Sequence, residues 1–283
     1  TDESAYSAAE IIIVDLPFDL SLEEHQPSLH SQLSLLEDAL GSITRNLSSS
    51  VLLLIETTLP PGTCEKVIIP FVQRELEVRG LSQNDVNIAH SFERVMPGPN
   101  YLDSITNMWR VYAGYTDEAA DVCEQFLTNI INTEHFPLTR LPSITASEIA
   151  KVMENSYRAV NIAFIDEWTK FAEETGVDIY EVIEAIRKRP THSNIRLPGL
   201  GVGGYCLTKD PLFAPTSARE IFSLEGQCFP FSDSAIKVNQ DELKCLTGAS
   251  NVDGIKILQK KGIDSVILTD KQNISLLSKN RIY

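Results

Sequence analysis

The sequence of 283 residues lacks a long hydrophobic run. Its longest aliphatic stretches are IIIV at 11–14 and VLLLI at 51–55, whereas a membrane-spanning helix needs about 20 consecutive apolar residues. These short runs exclude a membrane-spanning helix within this sequence, and we expect no membrane partner. With 43% hydrophobic residues, the chain can instead bury one large core or two smaller ones.

Cysteine is scarce as well. The five cysteines are odd in number and show neither CxxC nor zinc-type spacing, so the sequence predicts neither a disulfide framework nor a metal site. The chain also opens without the charged and then apolar segment of a secretory leader. We therefore expect a protein of the reducing cytoplasm, without a metal cofactor.

Basic residues are few, with 24 Lys and Arg against 39 Asp and Glu and a net charge of −15. Nucleic-acid binding draws on clustered basic residues, so this balance disfavours nucleic acid as a partner. The one dense cationic run is RKR at 187–189. It either faces an anionic substrate or forms a solvated helix C-terminus, where cations complement the helix dipole.

Short apolar runs alternate with helical patterns over the first 140 residues. We predict strands at 10–16, 50–55, 85–90 and 109–114, a helix between the first two strands, and a helix at 117–133. Alternating strands and helices are typical of a parallel α/β sheet. The pattern therefore predicts a doubly wound, Rossmann-like α/β domain over residues 1–140.

A long helical segment follows this domain. Residues 145–189 keep a helical apolar period that is interrupted only at Gly176, and the first helix of the segment runs from about 147 to 175. A helix of this length usually separates two domains or lines a dimer interface. We predict a helical middle domain over 141–238.

The C-terminal part returns to an α/β pattern. VDGIKILQKKGIDSVILTD at 252–270 is typical of a helix, a glycine turn and a strand. The sequence therefore predicts a partial α/β domain over 239–283.

The stretch PGLGVGGYCLTKDP at 198–211 contains a GxGxxG pattern formed by Gly199, Gly201 and Gly204. A dinucleotide-binding fingerprint follows a strand and opens a helix, but prolines at 198 and 211 leave no room for a long helix here. We therefore interpret the glycines either as a structural turn or as a loop that wraps around a ligand and presents Cys206.

Three groups of side chains are candidates for chemistry. Cys206 is a possible nucleophile if a cation stabilises its thiolate, although a lone cysteine is more often an inert core residue. Lys151 and Asn155 share one helix face and could hold an oxyanion, or they form an ordinary solvated face. Thr57 and Thr58 follow the second strand, where α/β sheets collect ligands, or they complete a proline-rich turn.

Four motifs occur in the order typical of one enzyme family. They are ETTLPPGT at 56–63, ERVMPG at 93–98, SEIAKVMENSYRAVNIAFIDE at 147–167, and the glycine stretch at 198–211. On these motifs the sequence from near residue 8 to about 235 resembles the nucleotide-sugar 6-dehydrogenases that act on UDP-glucose or UDP-N-acetylhexosamines. The resemblance implies NAD-dependent, four-electron oxidation of the C6 alcohol of a UDP-sugar to the uronic acid.

The resemblance also implies residue roles. Cys206 resembles the nucleophile that captures the aldehyde as a thiohemiacetal, which a second hydride transfer converts to a thioester. Lys151 and Asn155 resemble the groups that stabilise the oxyanion and order water. Asp210 resembles the carboxylate that assists proton transfer, and Glu93 the glutamate associated with thioester hydrolysis.

The remaining implied residues bind ligands. Thr58 resembles the threonine near the reacting carbon, and Pro17, Thr58 and Lys209 are implied to contact NAD. The residues implied to bind the nucleotide sugar are Arg94, Gly199, Leu200, Gly201, Val202 and Gly203. In this interpretation the glycine loop packs against the ribose and diphosphate, while NAD lies on the N-terminal domain.

The match departs from the family in three places. The family's own GxGxxG lies further upstream of its threonine motif than the 57 residues that precede Thr58 here, so we expect the sequence shown to omit the first βα unit. Phe92 stands where the family has proline. CLTGAS at 245–250 resembles the end of a strand, yet NVDGIKIL follows it too soon, so we expect missing segments there too.

Several alternatives stay open. The sequences LPGLGVGG and KDP favour the branch of the family that acts on UDP-N-acetylhexosamines, although that branch more often has His where Tyr205 stands. The helix at 147–175 resembles the family's dimer-forming helix, so we expect a homodimer. A two-electron hydroxyacid-type dehydrogenase, in which Lys151 is the acid/base and Cys206 a bystander, and a catalytically inactive nucleotide-sugar-binding protein are the competing interpretations.

Overall fold

The structure, a computed structural model, describes residues 3–23, 26–82, 85–95, 98–199, 202, 205–224, 226–247, 266–270 and 273–276. Contacts divide the chain into two compact units. The first unit comprises Thr1–Val152 and Phe213–Gln227, and the second comprises Met153–Leu212 and Cys228–Tyr283. The three-domain division with boundaries at 140 and 238 stays a prediction.

The helices and strands follow the chain in this order: α1 (Ser4–Ala8), β1 (Ile11–Val14), β2 (Ser21–Glu23), β3 (Gln26–Ser28), α2 (His30–Asn46), β4 (Val51–Ile55), α3 (Ile69–Val78), β5 (Val86–His90), α4 (Tyr101–Thr106), β6 (Val111–Gly114), α5 (Asp117–Thr128), β7 (Thr139–Arg140), α6 (Ile144–Thr175), α7 (Ile179–Arg187), α8 (Phe213–Glu220), α9 (Pro230–Thr247), β8 (Val266–Asp270) and β9 (Asn273–Leu276). A π-helical turn, Cys64–Ile68, leads directly into α3. Short 3₁₀ turns occupy Pro190–His192 and Asp210–Leu212.

A five-stranded sheet of order β1-β4-β5-β6-β7 organises the first unit. The strands β1, β4 and β5 are parallel, β6 runs antiparallel to β5, and β7 pairs parallel to β6. The predicted α/β class with a Rossmann-like parallel sheet is confirmed, as are the four predicted strands. The antiparallel direction of β6 was not predicted, because period-two patterning carries no information on strand direction.

The inner strand β4, between β1 and β5, is buried at all five positions because helices cover both sheet faces. Val51, Leu53 and Ile55 pack in a core cluster with apolar residues of α2 and α3. Leu52 and Leu54 pack on the other face in a cluster with residues of α5. This arrangement explains why VLLLI reads as an uninterrupted apolar run, whereas β1 alternates between buried and exposed side chains.

The long helix α6 begins at Ile144, three residues before the predicted start, and ends at Thr175 as predicted. Gly176 adopts φ +71°, and the amide of Val177 donates to the carbonyl of Ala172 at 2.9 Å. This is the Schellman arrangement that favours glycine after a helix end. Asp178 then caps α7 by accepting from the amide of Tyr180 at 2.8 Å.

The second unit packs α6 against α9. Ala159, Ala163 and Ala235 form a small buried cluster between the two helices, and the side chain of Asn239 donates to the carbonyl of Ala159 at 3.2 Å. Near the C-terminus, β8 matches the predicted strand and pairs antiparallel with β9. The helix and turn predicted for 252–265 lie outside the described residues.

None of the helices in the described ranges is both long and apolar enough to cross a bilayer.

Candidate active site

The carboxyl ends of β1, β4 and β5 meet at one edge of the sheet because these strands are parallel. Three predicted site residues, Pro17, Thr58 and Glu93, follow these three strands in the sequence. Pro17 is exposed, and Thr58 and Glu93 are half-buried. The fold therefore brings these predicted residues to the edge where such sheets bind ligands.

Thr57 joins two of the loops at this edge. Its buried hydroxyl accepts a hydrogen bond from the amide of Leu16 at 2.8 Å and donates to the carbonyl of Val14 at 3.2 Å. The neighbouring Thr58 side chain makes no hydrogen bond among the described residues. The structural role thus falls to Thr57, while the Thr58 hydroxyl is available to a ligand.

Lys151 projects from α6 onto the loop after β5. Its ammonium donates to the backbone carbonyl of Glu93 at 3.0 Å, and the Oε1 atom of Glu93 lies 3.5 Å away. The whole residue is 8% exposed. An ammonium has three N–H donors, and within the described residues the third has no acceptor, so Lys151 can donate to a bound oxygen.

An aromatic ring lies beside this lysine. Phe92 is fully buried, and the centre of its ring is 5.4 Å from Nζ of Lys151 and 5.5 Å from Cζ of Arg94. Both distances fall within the range of cation–π attraction. Phe92 therefore contacts one predicted catalytic residue and one predicted substrate-binding residue.

A buried polar network lies beneath the same edge. Arg110, just before β6, pairs with Glu56 and also donates to the carbonyl of Ser91 at 3.4 Å. Burial raises the pKa of Glu56, although Arg110 opposes that shift. Burial also lowers the pKa of His90 to about 3, opposed only in part by the backbone of Thr57. His90 is consequently neutral and contributes no charge at physiological pH.

Sequence analysis missed Glu148, which lies three residues before Lys151 on α6. Its fully buried carboxylate accepts from the amides of Gly62 at 2.6 Å and Cys64 at 2.8 Å, at the start of the helical segment that continues as α3. An acidic group at a helix N-terminus is favourable. Glu148 therefore ties the PPGT loop to α6. Its position about one helical turn before Lys151 is the feature of the sequence that could have indicated this role.

Glu148 predicts a pH-dependent stability. Burial raises its pKa from 4.5 to about 7, so the folded state holds this proton more tightly than the unfolded state. The associated stability is present below about pH 4.5 and is lost as the pH rises to about 7, by roughly 3 kcal/mol at most. Urea unfolding of the wild type and Glu148→Gln at pH 5 and pH 7.5 measures this difference.

Glu148→Gln should remove that pH-dependent component, and the exposed Glu167→Gln on the same helix should retain it. An equal difference between wild type and Glu148→Gln at both pH values would contradict the assignment.

The second unit contains a separate buried cluster around Asp210. Its fully buried carboxylate accepts from the side-chain amide of Asn155 at 2.7 Å and from the ammonium of Lys209 at 2.7 Å. Lys209 also lies 4.5 Å from the ring centre of Tyr205. The structure thus brings together three predicted site residues, and Lys209 balances the buried charge of Asp210.

Cys206 begins the turn that leads to Asp210. Its backbone carbonyl accepts hydrogen bonds from the amides of Lys209 and Asp210 at 3.2 and 2.9 Å, and its side chain belongs to an exposed residue. By contrast, Cys64 and Cys123 are buried, and burial raises the pKa of both thiols, that of Cys123 to about 12. Neither buried cysteine can readily supply a thiolate.

The glycine stretch is described only in part. Leu200, Gly201 and Gly203 lie outside the described residues, and Val202 is buried. A Cβ atom at Gly199 would meet no atom of the described residues within 4 Å, so packing against that part of the chain does not require glycine there. Room for a close external partner remains at this position.

The cationic run at 187–189 ends α7. Arg187 donates from Nε and Nη2 to the carbonyl of Ile195 at 3.1 and 2.7 Å, while Lys188 and Arg189 are exposed. Arg187 therefore stabilises the following turn, which favours the helix-terminus interpretation for this residue.

Known proteins of one family match both parts of the chain. Residues 1–131 match the NAD binding domain of the UDP-glucose/GDP-mannose dehydrogenase family, and residues 145–241 match its central domain. The chain is 38% identical over 194 residues to a UDP-N-acetyl-D-mannosamine dehydrogenase of Pyrococcus horikoshii, covering 68% of this chain and 44% of that protein. It is 31% identical over 229 residues to an NDP-N-acetyl-D-galactosaminuronic acid dehydrogenase of Ralstonia solanacearum, covering 78% of this chain and 51% of that protein.

A solved structure of UDP-D-ManNAc dehydrogenase from Pyrococcus horikoshii has a TM-score of 0.71 to this chain at 28% identity, over 92% of this chain and 56% of that one. The chain thus spans about half the length of the relatives it matches. The two domain matches together cover most of the present sequence, and the chain therefore belongs to the UDP-glucose/GDP-mannose dehydrogenase family.

Proposed function

We propose that the protein oxidises the C6 alcohol of a UDP-sugar to a carboxylate, with NAD as the hydride acceptor and Cys206 as the nucleophile. The observation that carries the proposal is an exposed cysteine four residues before Asp210, whose buried carboxylate is held by Asn155 and Lys209. A thiol nucleophile needs nearby groups that hold negative oxygen and move protons. The two relatives named above support a sugar nucleotide as the substrate class.

In this mechanism the thiol of Cys206 adds to the C6 aldehyde produced by the first oxidation. A carbon–sulfur bond forms, and the aldehyde oxygen takes up a proton, giving a thiohemiacetal. Loss of a second hydride from C6 and of the hydroxyl proton gives a thioester. Water then cleaves the carbon–sulfur bond: its oxygen bonds to C6 and a proton returns to sulfur, which releases the acid and the thiol. One covalent attachment explains how two oxidations can proceed without release of the aldehyde.

Lys151 and Asn155 stabilise negative charge on the reacting oxygen. They lie four residues apart on α6 and therefore on the same side of that helix. Lys151 supplies a charged N–H that has no acceptor among the described residues, and a charge-assisted hydrogen bond is roughly twice as strong as a neutral one. We assign both side chains to the oxyanion because side-chain N–H donors stabilise developing negative charge on oxygen.

Asp210 and Glu93 handle protons and water. Asp210 is held by two donors, so its carboxylate is oriented, and we assign to it the proton transfer through ordered water. Glu93 is half-buried and its Oε2 atom accepts from the amide of Val95, which leaves Oε1 beside Lys151. We assign to Glu93 the activation of water in thioester hydrolysis.

We assign NAD binding to this sheet edge, since residues 1–131 match an NAD binding domain. Pro17 is exposed there and the hydroxyl of Thr58 has no partner among the described residues, so we assign both to NAD contact. The contact of Lys209 with NAD stays a prediction from the resemblance. When bound, NAD supplies a hydride acceptor for each oxidation. The residues of the chain orient it and hold the substrate oxygen during transfer.

We propose a UDP-N-acetylhexosamine as the substrate. The names of the relatives from Pyrococcus and Ralstonia support this choice. Arg94 would bind the diphosphate as a cation, and Gly199, with Val202 and the neighbouring positions 200, 201 and 203, would let the loop backbone approach the nucleotide. A cytoplasmic site of action and the absence of a nucleic-acid partner stay predictions from composition.

The direct test is NADH production by the protein with a panel of UDP- and GDP-sugars. We expect two NADH per sugar consumed and an acidic sugar product, with the highest kcat/KM for a UDP-N-acetylhexosamine. One NADH per sugar would instead support the two-electron dehydrogenase. Thermal stabilisation by UDP-sugars without any NADH would support an inactive binding protein.

We also propose that α6 mediates a homodimer. Along its part in the second unit, one face carries exposed apolar side chains at spacings of three, four and seven, namely Met153, Tyr157, Phe164, Trp168 and Phe171. The rings of Phe164, Trp168 and Phe171 contact one another in sequence at about 6 Å. A contiguous apolar stripe of this kind is typical of a protein–protein interface.

The double variant Trp168→Glu/Phe171→Glu is expected to shift the protein from dimer to monomer, because two charges would be desolvated at the interface. Light scattering coupled to size exclusion measures the molar mass. Glu173 is exposed on the opposite side of α6, so Glu173→Lys is the matched control and is expected to remain a dimer. A wild-type monomer, or an unaltered mass for the double variant, would overturn this proposal.

A further inference from the structure

The mechanism above leaves Phe92 unused, yet its position is unusual. The ring is fully buried, and two cationic groups from separate elements lie near it, the ammonium of Lys151 on α6 and the guanidinium of Arg94 on the loop after β5. The neutral ring of His90 packs against it with centroids 6.3 Å apart. A packing residue alone would not account for two cations at one ring.

The ring can hold Lys151 in a way that an aliphatic side chain cannot. The face of an aromatic ring carries partial negative charge, and its attraction for a cation grows when water is excluded. A ring face is a much weaker hydrogen-bond acceptor than a carboxylate, so Phe92 competes less than a second carboxylate would for the remaining N–H of Lys151. Together with the Glu93 carbonyl at 3.0 Å, the ring fixes the ammonium from two directions.

We infer that Phe92 is a positioning residue for the reaction: its ring holds the ammonium of Lys151, and with it the free N–H donor, where the oxyanion forms, and it holds Arg94 beside it. This inference rests on the proposed function. Phe92 touches neither substrate nor cofactor in this role and acts through Lys151. A weaker ring quadrupole should therefore slow the reaction even when size and shape are kept.

The test replaces Phe92 with mono-, di- and trifluorophenylalanine, because fluorine withdraws charge from the ring face with little change in volume. We expect kcat to fall stepwise along the series, reaching about 3- to 30-fold at the trifluoro ring, in line with the strength of buried cation–π pairs. Phe213 provides the matched control. It is fully buried and packs edge-to-face on Phe18, and its fluorination should leave kcat unchanged.

A second measurement does not depend on activity. A double-mutant cycle of Phe92→Leu and Lys151→Met, read by urea unfolding, should give a coupling of about 3- to 30-fold in the unfolding equilibrium constant. A flat fluorination series, or a coupling below about twofold, would overturn the inference while NADH production by the wild type stood. Absence of NADH from the wild type with every sugar would refute the proposed function, even with the coupling present.

Discussion

Cys206→Ala is expected to abolish formation of the sugar acid, with a loss on the order of 10³-fold or more in the four-electron turnover. Without the thiol, C6 cannot be held as a thiohemiacetal, so neither the thioester nor its hydrolysis can follow. Binding of the UDP-sugar should remain largely intact, since Cys206 lies on an exposed turn whose hydrogen bonds involve its backbone carbonyl.

The measurement combines NADH stoichiometry, detection of the acidic product and calorimetric titration with the UDP-sugar. Cys228→Ala is the matched control, because Cys228 is also exposed, and this variant should behave as the wild type. Turnover by Cys206→Ala at the wild-type rate would make the cysteine a bystander and favour two-electron chemistry at Lys151.

Among the substitutions considered, Arg110→Met is expected to lower the free energy of unfolding most, by about 3–5 kcal/mol at pH 7.5. Arg110, just before β6, is 4% exposed and pairs with Glu56, which follows β4. Its removal leaves the Glu56 carboxylate and the Ser91 carbonyl without their described donor. The loss should shrink as the pH falls, because a protonated Glu56 needs no cation, and burial already raises its pKa.

Urea unfolding at pH 5 and pH 7.5 checks both the size and the direction of this effect. Adding Glu56→Gln to Arg110→Met should recover part of the stability, since it removes the unpaired charge. Arg140→Met is the surface control. Arg140 pairs with Asp117 and Asp121 at exposed positions, and such pairs contribute little. A loss from Arg110→Met that is small and independent of pH would contradict a buried structural pair.

These two predictions differ in how far the sequence alone supports them. Cys206 stands in a glycine-rich motif, so the local sequence is enough to make it a candidate nucleophile. Arg110 was read only as part of the strand WRVYAG, because its partner Glu56 is 54 positions away and no local pattern links them. Charge pairing across strands depends on the order of the sheet, which periodicity does not encode.

Phe92 and Glu148 make the same point for the candidate site. In the sequence Phe92 stands out only as a departure from the resemblance, and its contacts with two cations depend on the fold. Glu148 lies in the same helical motif as Lys151 and Asn155, while its hydrogen-bond donors, the amides of Gly62 and Cys64, are more than 80 residues earlier in the chain. Both residues act through contacts between distant segments.

The sequence by itself determined the class of the protein, the strands and the long helix that ends at Gly176, because apolar period and glycine geometry act over a few residues. It also indicated the four motifs that identify the family. Only the tertiary structure decided that β6 runs antiparallel, that Thr57 rather than Thr58 ties the loops together, and that Arg110, Glu148 and Phe92 support the candidate site. Those facts depend on which distant segments share a buried, low-dielectric environment, where a charge without a partner is costly.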